Sequence, residues 1–357
     1  MFFEKNALRL QAFSCVSKAA GARADYVQGG GGNTSAKLAD GRMVIKASGF
    51  CLSDMEPDKG YAVLDGAALR EFYLTTEPDQ FADVEKAGSD RARETVQTIE
   101  GLAQLRPSVE AGFHSILKTY VLHTHSVYAN LAACSADGRE VAQKAFADAA
   151  YGWGMVEYVD PGARLSYVIR DELRRVEALE GRCPAVILMQ NHGIIVHGDD
   201  PDEVLQIHAD ANERLANAYG IAGNSFPAVA VTEVEPGLWE ADVPYLTESM
   251  KSGAYTERML LEEPLYPDQM VFLTGTFSMD NDTVEEGKCV AWSETGTVRM
   301  RMERKKAVVL AETLTAVVFI QNHIEAAGHA LCTMGAAAKN FIANWESEKY
   351  RKTLAGK

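Results

Sequence analysis

The chain has 357 residues, 47% of them hydrophobic, and carries a formal net charge of -15. This length allows two domains, or one large domain with an appendage. Because no basic tract offsets the acidic charge, the composition disfavours nucleic acid and anionic membrane surfaces as partners. No apolar run approaches the roughly 20 residues that a membrane-spanning helix needs.

Cysteine usage and the first residues of the sequence bear on the cellular compartment. The six cysteines are scattered and form no C-x-x-C pair, which is typical of free thiols in a reducing environment. The first residues lack a basic region followed by an apolar one, so we expect no signal peptide. Together these features predict a cytoplasmic protein.

Hydrophobic periodicity predicts alternating helices and strands over the first 220 residues. The predicted helices span about 5–20, 91–105, 127–131, 139–150, 164–180 and 201–219. The predicted strands span about 43–45, 61–64, the segment that contains His123 and His125, and then 156–159, 185–189 and 194–196. Residues 77–90 are polar and are predicted to be loop.

Four consecutive glycines, residues 29–32, are followed directly by Asn33, Thr34 and Ser35. Each glycine costs conformational entropy, so helix or strand stability does not explain such a run. Two interpretations remain, an anion-binding cradle of backbone N–H groups and small polar side chains, or a flexible hairpin connection. The spacing matches neither a dinucleotide-binding nor a P-loop motif. A second small turn, Ser48-Gly49, is another candidate group of donors.

The pair His123-x-His125 follows a run of β-branched and aromatic residues at 119–121. Residues i and i+2 of a strand point to one face, so both imidazoles can converge on one point. His192 follows the apolar run 186–189 and can add a third imidazole from the end of another strand. Three histidines with an open fourth position are typical of a catalytic zinc site. The alternative is a set of histidines with ordinary hydrogen-bond partners.

Glu110 lies in the first turn of a helix that Pro107-Ser108 is predicted to begin. A glutamate at this point favours the helix dipole, which is a sufficient structural explanation. Glu110 also precedes His123 by only 13 positions, so one short helix and one strand can return it to the metal.

The pattern changes beyond residue 220. Residues 221–264 contain four prolines and several acidic residues, and they are predicted to be an irregular linker or arm. Residues 265–357 are predicted to form a small C-terminal α/β domain, with strands near 271–273, 289–292 and 297–300 and helices near 308–327 and 336–350.

With these motifs in place, residues from about 5 to 220 resemble the class II aldolase/adducin family of sugar-phosphate aldolases and pentulose-phosphate 4-epimerases. Five short motifs match in family order, and together they are more specific than any one. They are Gly32-Asn33-Thr34-Ser35, Ser48-Gly49, Pro107-Ser108-x-Glu110, His123-x-His125 and Asn191-His192-Gly193. The spacing from Glu110 to His123 is most similar to the aldolase half of bifunctional rhamnulose-phosphate aldolase/dehydrogenases. Residues 344–351 resemble a C-terminal piece of longer relatives.

The resemblance implies a catalytic domain over residues 1–220, with a three-layer α/β/α fold around a mainly antiparallel sheet. It implies a homo-oligomer, usually a tetramer. It implies that Zn²⁺, or another divalent metal, is held by His123, His125 and His192, and that Glu110 is the catalytic acid/base. It also implies that a substrate phosphate is received by small and polar residues, namely Gly32, Asn33, Thr34, Ser48, Gly49 and Ser108.

The sequence departs from the family pattern in two places. Sugar-phosphate aldolases of the family often have two serines before the glutamate, and here the second is Val109. Losing one hydrogen bond to a charged group is worth about 1.5–3 kcal/mol. The substrate phosphate is then held differently, or the substrate is unphosphorylated. No motif selects the catalytic tyrosine between Tyr151 and Tyr158.

The activity that the resemblance implies is that of a zinc-dependent aldolase. Such a lyase cleaves a ketose phosphate, for example a deoxyketose 1-phosphate, into dihydroxyacetone phosphate and an aldehyde through an enediolate. Zn²⁺ acts there as a Lewis acid, and Glu110 shuttles a proton with a pKa that burial is expected to raise towards neutrality. A sugar-phosphate 4-epimerase and a 3-oxo-sugar-acid-phosphate decarboxylase are alternatives on the same metal site. A non-catalytic, adducin-like interaction module is a further alternative.

Overall fold

The computed structural model describes residues 1–222 and 225–344. Residues 345–351 of the C-terminal resemblance, and residues 345–350 of the helix predicted at 336–350, lie outside these described ranges.

The first 220 residues fold into eight helices and seven strands, counted over helices and strands of four or more residues within the described chain. The helices are α1 (Phe2–Gly21), α2 (Gly66–Thr75), α3 (Val84–Glu94), α4 (Ala111–Ile116), α5 (Val127–Ala133), α6 (Gly138–Ala145), α7 (Ala163–Glu180) and α8 (Pro201–Ala218). The strands are β1 (Asn33–Lys37), β2 (Met43–Lys46), β3 (Tyr61–Leu64), β4 (Tyr120–Thr124), β5 (Trp153–Val156), β6 (Val186–Met189) and β7 (Gly193–Gly198).

These strands form one sheet in the order β3-β2-β1-β4-β7-β6-β5. Every neighbouring pair is antiparallel except β5 and β6, which are parallel. Strand β4 lies at the centre, between β1 and β7. Successive residues of each strand point to opposite faces of the sheet. Because apolar residues occupy both sets of positions, both faces must be covered.

Helices cover both faces of the sheet. Leu122 of β4 faces a core that includes residues of α1, α5, α6 and α8. The adjacent Val121 faces a second core, with residues of α2, α3, α4 and α7. The predicted three-layer α/β/α fold around a mainly antiparallel sheet is therefore confirmed.

One helix of the N-terminal half lies earlier in the chain than predicted. Helix α3 begins at Val84, within the segment 77–90 that is predicted to be loop. It ends at Glu94, so only the first four residues of the helix predicted at 91–105 are helical. The side chain of Asp83 caps α3 by accepting a hydrogen bond from the backbone N–H of Lys86. An aspartate N-cap stabilises a helix that is otherwise mostly polar, and periodicity alone does not detect it.

The helices and strands of the later part of the chain are β8 (Ala230–Glu235), β9 (Leu238–Asp242), α9 (Pro244–Lys251), α10 (Glu257–Glu262), α11 (Pro267–Leu273), β10 (Phe277–Met279), β11 (Lys288–Ala291), β12 (Val298–Arg301), α12 (Arg304–Ala326) and α13 (Ala336–Asn344). These strands form a second sheet, in the order β10-β11-β12-β9-β8. The predicted C-terminal α/β appendage is therefore present, with a five-stranded sheet of its own.

Two secondary-structure predictions for this part of the chain are wrong. Residues 221–264 are not irregular, because they contain β8, β9, α9 and α10. Strand β9 pairs with β12, and β8 pairs with β9. Their prolines lie where regular structure tolerates them, Pro236 between β8 and β9 and Pro244 at the start of α9. The apolar run 271–273 is helical, since a short apolar run cannot be distinguished from a buried helix by pattern. The domain limits at 220 and 265 stay predictions.

Helix α12 is long and apolar enough by composition to cross a membrane. However, 72% of its most apolar window is buried inside the protein, as expected of a core helix. Its side chains join the core that also contains α1, α5 and α8.

Buried histidines make the stability of this fold depend on pH. His208 of α8 lies under β4, where its Nε2 is 2.8 Å from the hydroxyl of Thr124. Burial, with a smaller contribution from Arg23, lowers the pKa of His208 to about 3. An unfolded histidine has its ordinary pKa of about 6.5. The stability that depends on neutral His208 is therefore complete above pH 6.5 and is lost as the pH falls towards 3.

We expect His208→Gln to flatten the decline of the free energy of unfolding between about pH 6 and 4. The expected change in slope is about 1.4 kcal/mol per pH unit, the value for one proton bound on unfolding. Denaturant titrations at several pH values measure it. If the free energy of unfolding falls with pH equally steeply in the parent and in the variant, the low pKa of His208 is contradicted.

Candidate metal centre

The register of the central strands places His123 beside Asn33. In the β1–β4 pair, His123 of β4 lies opposite Asn33, and in the β4–β7 pair it lies opposite Ile195. Cross-strand partners share a face of the sheet. His123 therefore lies on the same face as Val121 and the helix α4, which follows Glu110 in the chain.

The three histidines of the two sequence motifs converge. The ligand atoms of His123, His125 and His192 all lie within 4.8 Å of one another. The ring centroids are 4.9–5.1 Å apart in the three pairs, and the Nε2 atoms of His123 and His125 are 3.2 Å apart. All three side chains are buried. The predicted triad is thus brought to one enclosed point.

The outer nitrogens of two of these rings have hydrogen-bond acceptors. His123 donates from Nδ1 to the backbone carbonyl of Ile194 over 3.0 Å, and His125 Nδ1 lies 2.5 Å from a carboxylate oxygen of Asp268. With Nδ1 protonated, each Nε2 presents its lone pair to the common point. Burial lowers the pKa of His123 to about 4 and that of His192 to about 3, so both rings are neutral near pH 7. Three imidazoles facing one point fit a zinc-type metal.

Glu110 completes the group. Its Oε2 is 3.7 Å from His123 Nε2, and its Oε1 is 3.4 Å from His192 Nε2. Among the residues that the structure describes, no group donates a hydrogen bond to Glu110 Oε1 or pairs with His192 Nδ1. An unsatisfied buried carboxylate oxygen 3.4 Å from the Nε2 of His192 is a further feature that fits a bound cation.

The expected pKa shift of Glu110 has the wrong sign. Burial raises the pKa of Glu110. The nearby His123 and His192 and a hydrogen bond from Asn33 have a larger, opposite effect, and the pKa is about 2. The prediction that burial brings this pKa towards neutrality is therefore wrong for the metal-free protein. Glu110 is instead a carboxylate at neutral pH, and Asn33 donates a hydrogen bond that stabilises this charge.

Asn33 connects this carboxylate to the rest of the site. Its Nδ2 donates to Glu110 Oε2 over 2.6 Å and to the hydroxyl of Ser108 over 3.1 Å. Its Oδ1 accepts a hydrogen bond from His114 Nε2, and His114 Nδ1 is 2.7 Å from the hydroxyl of Ser35. This chain of buried side chains fixes the amide orientation of Asn33 and hence the position of Glu110.

The residues expected to receive a phosphate are not all on one side of the sheet. Ser108 accepts a hydrogen bond from Asn33. The loop with Ser48 and Gly49 lies beside Ser108, since Ser48 donates its backbone N–H to the carbonyl of Arg106 and its hydroxyl to the carbonyl of Pro107. Gly49 is exposed.

Gly32 and Thr34 have other surroundings. A methyl group on Gly32 would lie 2.5 Å from the carbonyl oxygen of His123, so Gly32 allows β4 to approach. Thr34 points to the opposite face of the sheet, where its hydroxyl meets Ser17 of α1 over 2.6 Å. The structure therefore does not bring Thr34 to the site, and the period-2 alternation next to Asn33 is the signal that places it elsewhere.

The four-glycine run lies against the C-terminal part of the chain. The backbone N–H of Gly29 donates to a carboxylate oxygen of Glu312 over 3.3 Å, and a methyl group on Gly29 would meet Val309 at 2.7 Å. A methyl group on Gly31 would meet Asp268. Two of the four glycines thus provide clearance for α11 and α12, a role that neither sequence interpretation included.

Sequence reasoning missed Asp268 and Tyr266 entirely. Tyr266 is buried, and its ring centroid is 6.4 Å from that of His125. No local signal marks either residue, because each contacts motifs more than 140 positions away in the chain. The two tyrosines named from the sequence point to aspartates instead, Tyr151 to Asp210 and Tyr158 to Asp160.

Comparison with known families agrees with the five sequence motifs. The model of the class II aldolase and adducin N-terminal domain matches residues 14–219, which is more than half of the chain. The chain belongs to the class II aldolase and adducin family. The predicted resemblance is thereby confirmed at the level of the family, and the finer likeness to bifunctional enzymes stays a prediction. No curated protein matches the chain in sequence.

Several solved structures are similar to part of this family member. The N-terminal class II aldolase domain of a conserved protein from Thermoplasma acidophilum is 20% identical, with a TM-score of 0.47, over 57% of this chain and 91% of that one. An L-fuculose 1-phosphate aldolase is 18% identical, with a TM-score of 0.37, over 60% and 90%. YgbL from Klebsiella pneumoniae, a putative aldolase/epimerase/decarboxylase, is 17% identical, with a TM-score of 0.41, over 62% and 93%.

We expect the purified protein to bind one divalent cation per chain, and His192→Ala to weaken that binding by more than about 100-fold. The loss should exceed the 10–100-fold that is typical of residues around the ligands, because a ligand itself is removed. Elemental analysis and chelator competition measure it. His197→Ala removes a buried histidine of β7 and serves as the matched control. A parent protein without affinity for divalent metals would refute the metal centre.

Proposed function

We propose that this protein is a class II aldolase, a carbon–carbon lyase that cleaves a ketose phosphate into dihydroxyacetone phosphate and an aldehyde. A deoxyketose 1-phosphate is the substrate type that we favour. The observation that carries the proposal is the buried cluster of His123, His125 and His192 with the carboxylate of Glu110 3.4–3.7 Å from two of the imidazoles.

The three histidines would hold a divalent metal, Zn²⁺ in the first place. A metal bound there supplies Lewis-acid polarisation of a carbonyl oxygen and compensates the negative charge of an enediolate. Neutral imidazoles leave the charge of the metal undiminished, which suits the binding of an anion. The low pKa values of His123 and His192 support this role, because no proton competes for their nitrogens near pH 7.

Glu110 would move the proton. A retro-aldol cleavage takes a proton from the substrate hydroxyl and returns one to the carbon next to the carbonyl. With its pKa at about 2, Glu110 is in the form that accepts a proton. Asn33 donates to Oε2, and Oε1 lies 3.4 Å from the Nε2 of His192. We therefore assign proton transfer to Oε1 and orientation of the carboxylate to Asn33.

The substrate phosphate would meet polar groups near Glu110. We propose Asn33, Ser108, Ser48 and Gly49 for this role, with Gly32 as the position that allows the close approach of β1 and β4. The hydrogen bond between Asn33 and Ser108 supports a common binding surface, as do the contacts of Ser48 with the chain before Ser108. Thr34 is left out of this proposal because it faces α1.

We further propose that the enzyme is a cytoplasmic homo-oligomer, with a tetramer favoured. The family resemblance supports the oligomer, and the six free cysteines support a reducing compartment. Neither nucleic acid nor a membrane is proposed as a partner, given the net charge of -15 and the burial of α12.

Two related reactions would use the same groups, a sugar-phosphate 4-epimerisation and a decarboxylation of a 3-oxo sugar acid phosphate. Each also passes through an anion next to a carbonyl. A panel of ketose phosphates and their unphosphorylated forms, assayed for released aldehyde, for epimer and for carbon dioxide, distinguishes the three. Epimer or carbon dioxide without aldehyde would refute the aldolase assignment. The adducin-like interaction module is disfavoured, because all three histidines and Glu110 are present.

We expect Glu110→Gln to lower kcat by about 10²–10⁴-fold, the range for removing a general acid/base. The amide cannot accept the proton, so the reaction slows. It keeps the size of the side chain and leaves the three histidines unchanged, so the metal content should stay that of the parent. Steady-state kinetics and elemental analysis on the same preparation measure both. Glu172→Gln is the matched control, since Glu172 is a buried glutamate paired with Arg175. Unchanged kcat in Glu110→Gln would contradict the role of Glu110.

A further inference from the structure

We propose that Asp268, on the C-terminal segment outside the family-matched residues, is a positioning residue that orients His125 for metal binding. The inference rests on the metal centre of the proposed function. A carboxylate oxygen of Asp268 lies 2.5 Å from His125 Nδ1. Both side chains are at least 95% buried. An aspartate in this arrangement fixes the tautomer of a histidine and increases the basicity of its other nitrogen.

The direction of the His125 ring agrees with this role. Its Nδ1 faces Asp268, and its Nε2 lies 3.2 Å from the Nε2 of His123. The group of potential ligand atoms within 4.8 Å of one another contains the three histidines and does not include Asp268 among the described residues. Asp268 therefore lies on the outer side of His125 and acts on the metal through that ring.

Asp268 is held in place by its neighbours. It follows Pro267 in the first turn of α11. Gln269 accepts a hydrogen bond from the backbone N–H of Leu265 over 2.8 Å and donates to the carbonyl of Leu260 over 2.9 Å. Asn191, next to His192, donates to the carbonyl of Leu265 over 2.8 Å. The segment that presents Asp268 is thus attached to the Asn191-His192-Gly193 motif itself.

The glycine run provides the space for the contact. A methyl group on Gly31 would lie 2.5 Å from Asp268 Oδ2 and 2.9 Å from His125 Nδ1. At Gly30 the nearest atom, the carbonyl oxygen of Phe50, would be 3.9 Å away, which is ordinary contact. Neither glycine has a positive φ, so alanine is compatible with the backbone at both positions. Gly31 and Gly30 therefore offer a matched pair of substitutions.

A purely structural role for Asp268 is the competing explanation. An acidic residue in the first turn of a helix favours the helix dipole and stabilises α11. In that case its removal lowers the stability of the metal-free protein and leaves the metal affinity of the folded protein unchanged. Metal affinity is thus the readout that separates the two roles.

The test uses the full-length chain after removal of metal, titrated with Zn²⁺ against a chromophoric chelator. We expect Asp268→Ala to raise the Kd for Zn²⁺ by about 10–100-fold, the usual effect of removing such a partner. Asp268→Asn retains an acceptor for His125 Nδ1 but loses the charge, so its Kd should lie between those of the parent and Asp268→Ala. The Co²⁺-loaded protein should show a changed visible spectrum in Asp268→Ala.

Gly31→Ala should also raise the Kd for Zn²⁺, because its methyl group displaces the carboxylate from His125. Gly30→Ala should leave the Kd unchanged. Asp137→Ala removes an Asp–His pair elsewhere, with His329 at 2.8 Å, and should likewise have no effect.

Circular dichroism and thermal unfolding of the metal-free proteins establish which variants fold. If Asp268→Ala does not fold, the isosteric Asp268→Asn decides, and its Kd must exceed that of the parent. Parent-like Kd values in folded Asp268→Ala or Asp268→Asn would overturn the inference. A parent protein that binds no Zn²⁺ would instead refute the proposed function, and the two failures are therefore distinguishable.

Discussion

The arrangement of the site depends on one carboxylate that stays charged although it is buried. Glu110 is almost inaccessible to solvent, and a buried charge without partners costs several kcal/mol. Asn33 offsets part of that cost by donating a hydrogen bond to the carboxylate over 2.6 Å, and the pKa of Glu110 is about 2 in spite of burial. His123, His192 and the amide of Asn33 lie around this carboxylate, so the position of Glu110 depends on theirs.

The central sheet supplies most of this precision. Strand β4 lies between β1 and β7, so that its register places His123 against Asn33 on one side and Ile195 on the other. A backbone carbonyl of β7 then accepts the Nδ1 hydrogen of His123. Because a strand cannot slip by one residue without exchanging its two faces, the register that buries the core also fixes His123 and Asn33 on the same face.

The C-terminal part of the chain is joined to the same site. Helices α11 and α12 pack on the glycine run, and Asn191 donates to backbone carbonyls of Leu265 and Cys332. The motif Asn191-His192-Gly193 accordingly has three distinct physical roles. The asparagine, with φ of 50°, holds the C-terminal segment, the histidine belongs to the group of three that could hold a metal, and the glycine allows the backbone of β4 to approach.

The sequence by itself determined the parts of the site that depend on local periodicity. Alternation along a strand brings His123 and His125 towards one point, and apolar runs on both sides of polar turns indicate a sheet covered by helices. The same alternation would have excluded Thr34, which is adjacent to Asn33 and therefore on the other face. Short motifs in order were sufficient for the family.

Only the tertiary structure decided the features that join distant parts of the chain. The pKa of Glu110 depends on which side chains surround it after folding, and burial alone predicts the opposite direction. The glycines appeared suited to an anion, yet two of them face Asp268 and Glu312, which lie more than 230 positions later in the chain. Periodicity carries no information about such contacts, because it records which face a residue occupies and not what packs against that face.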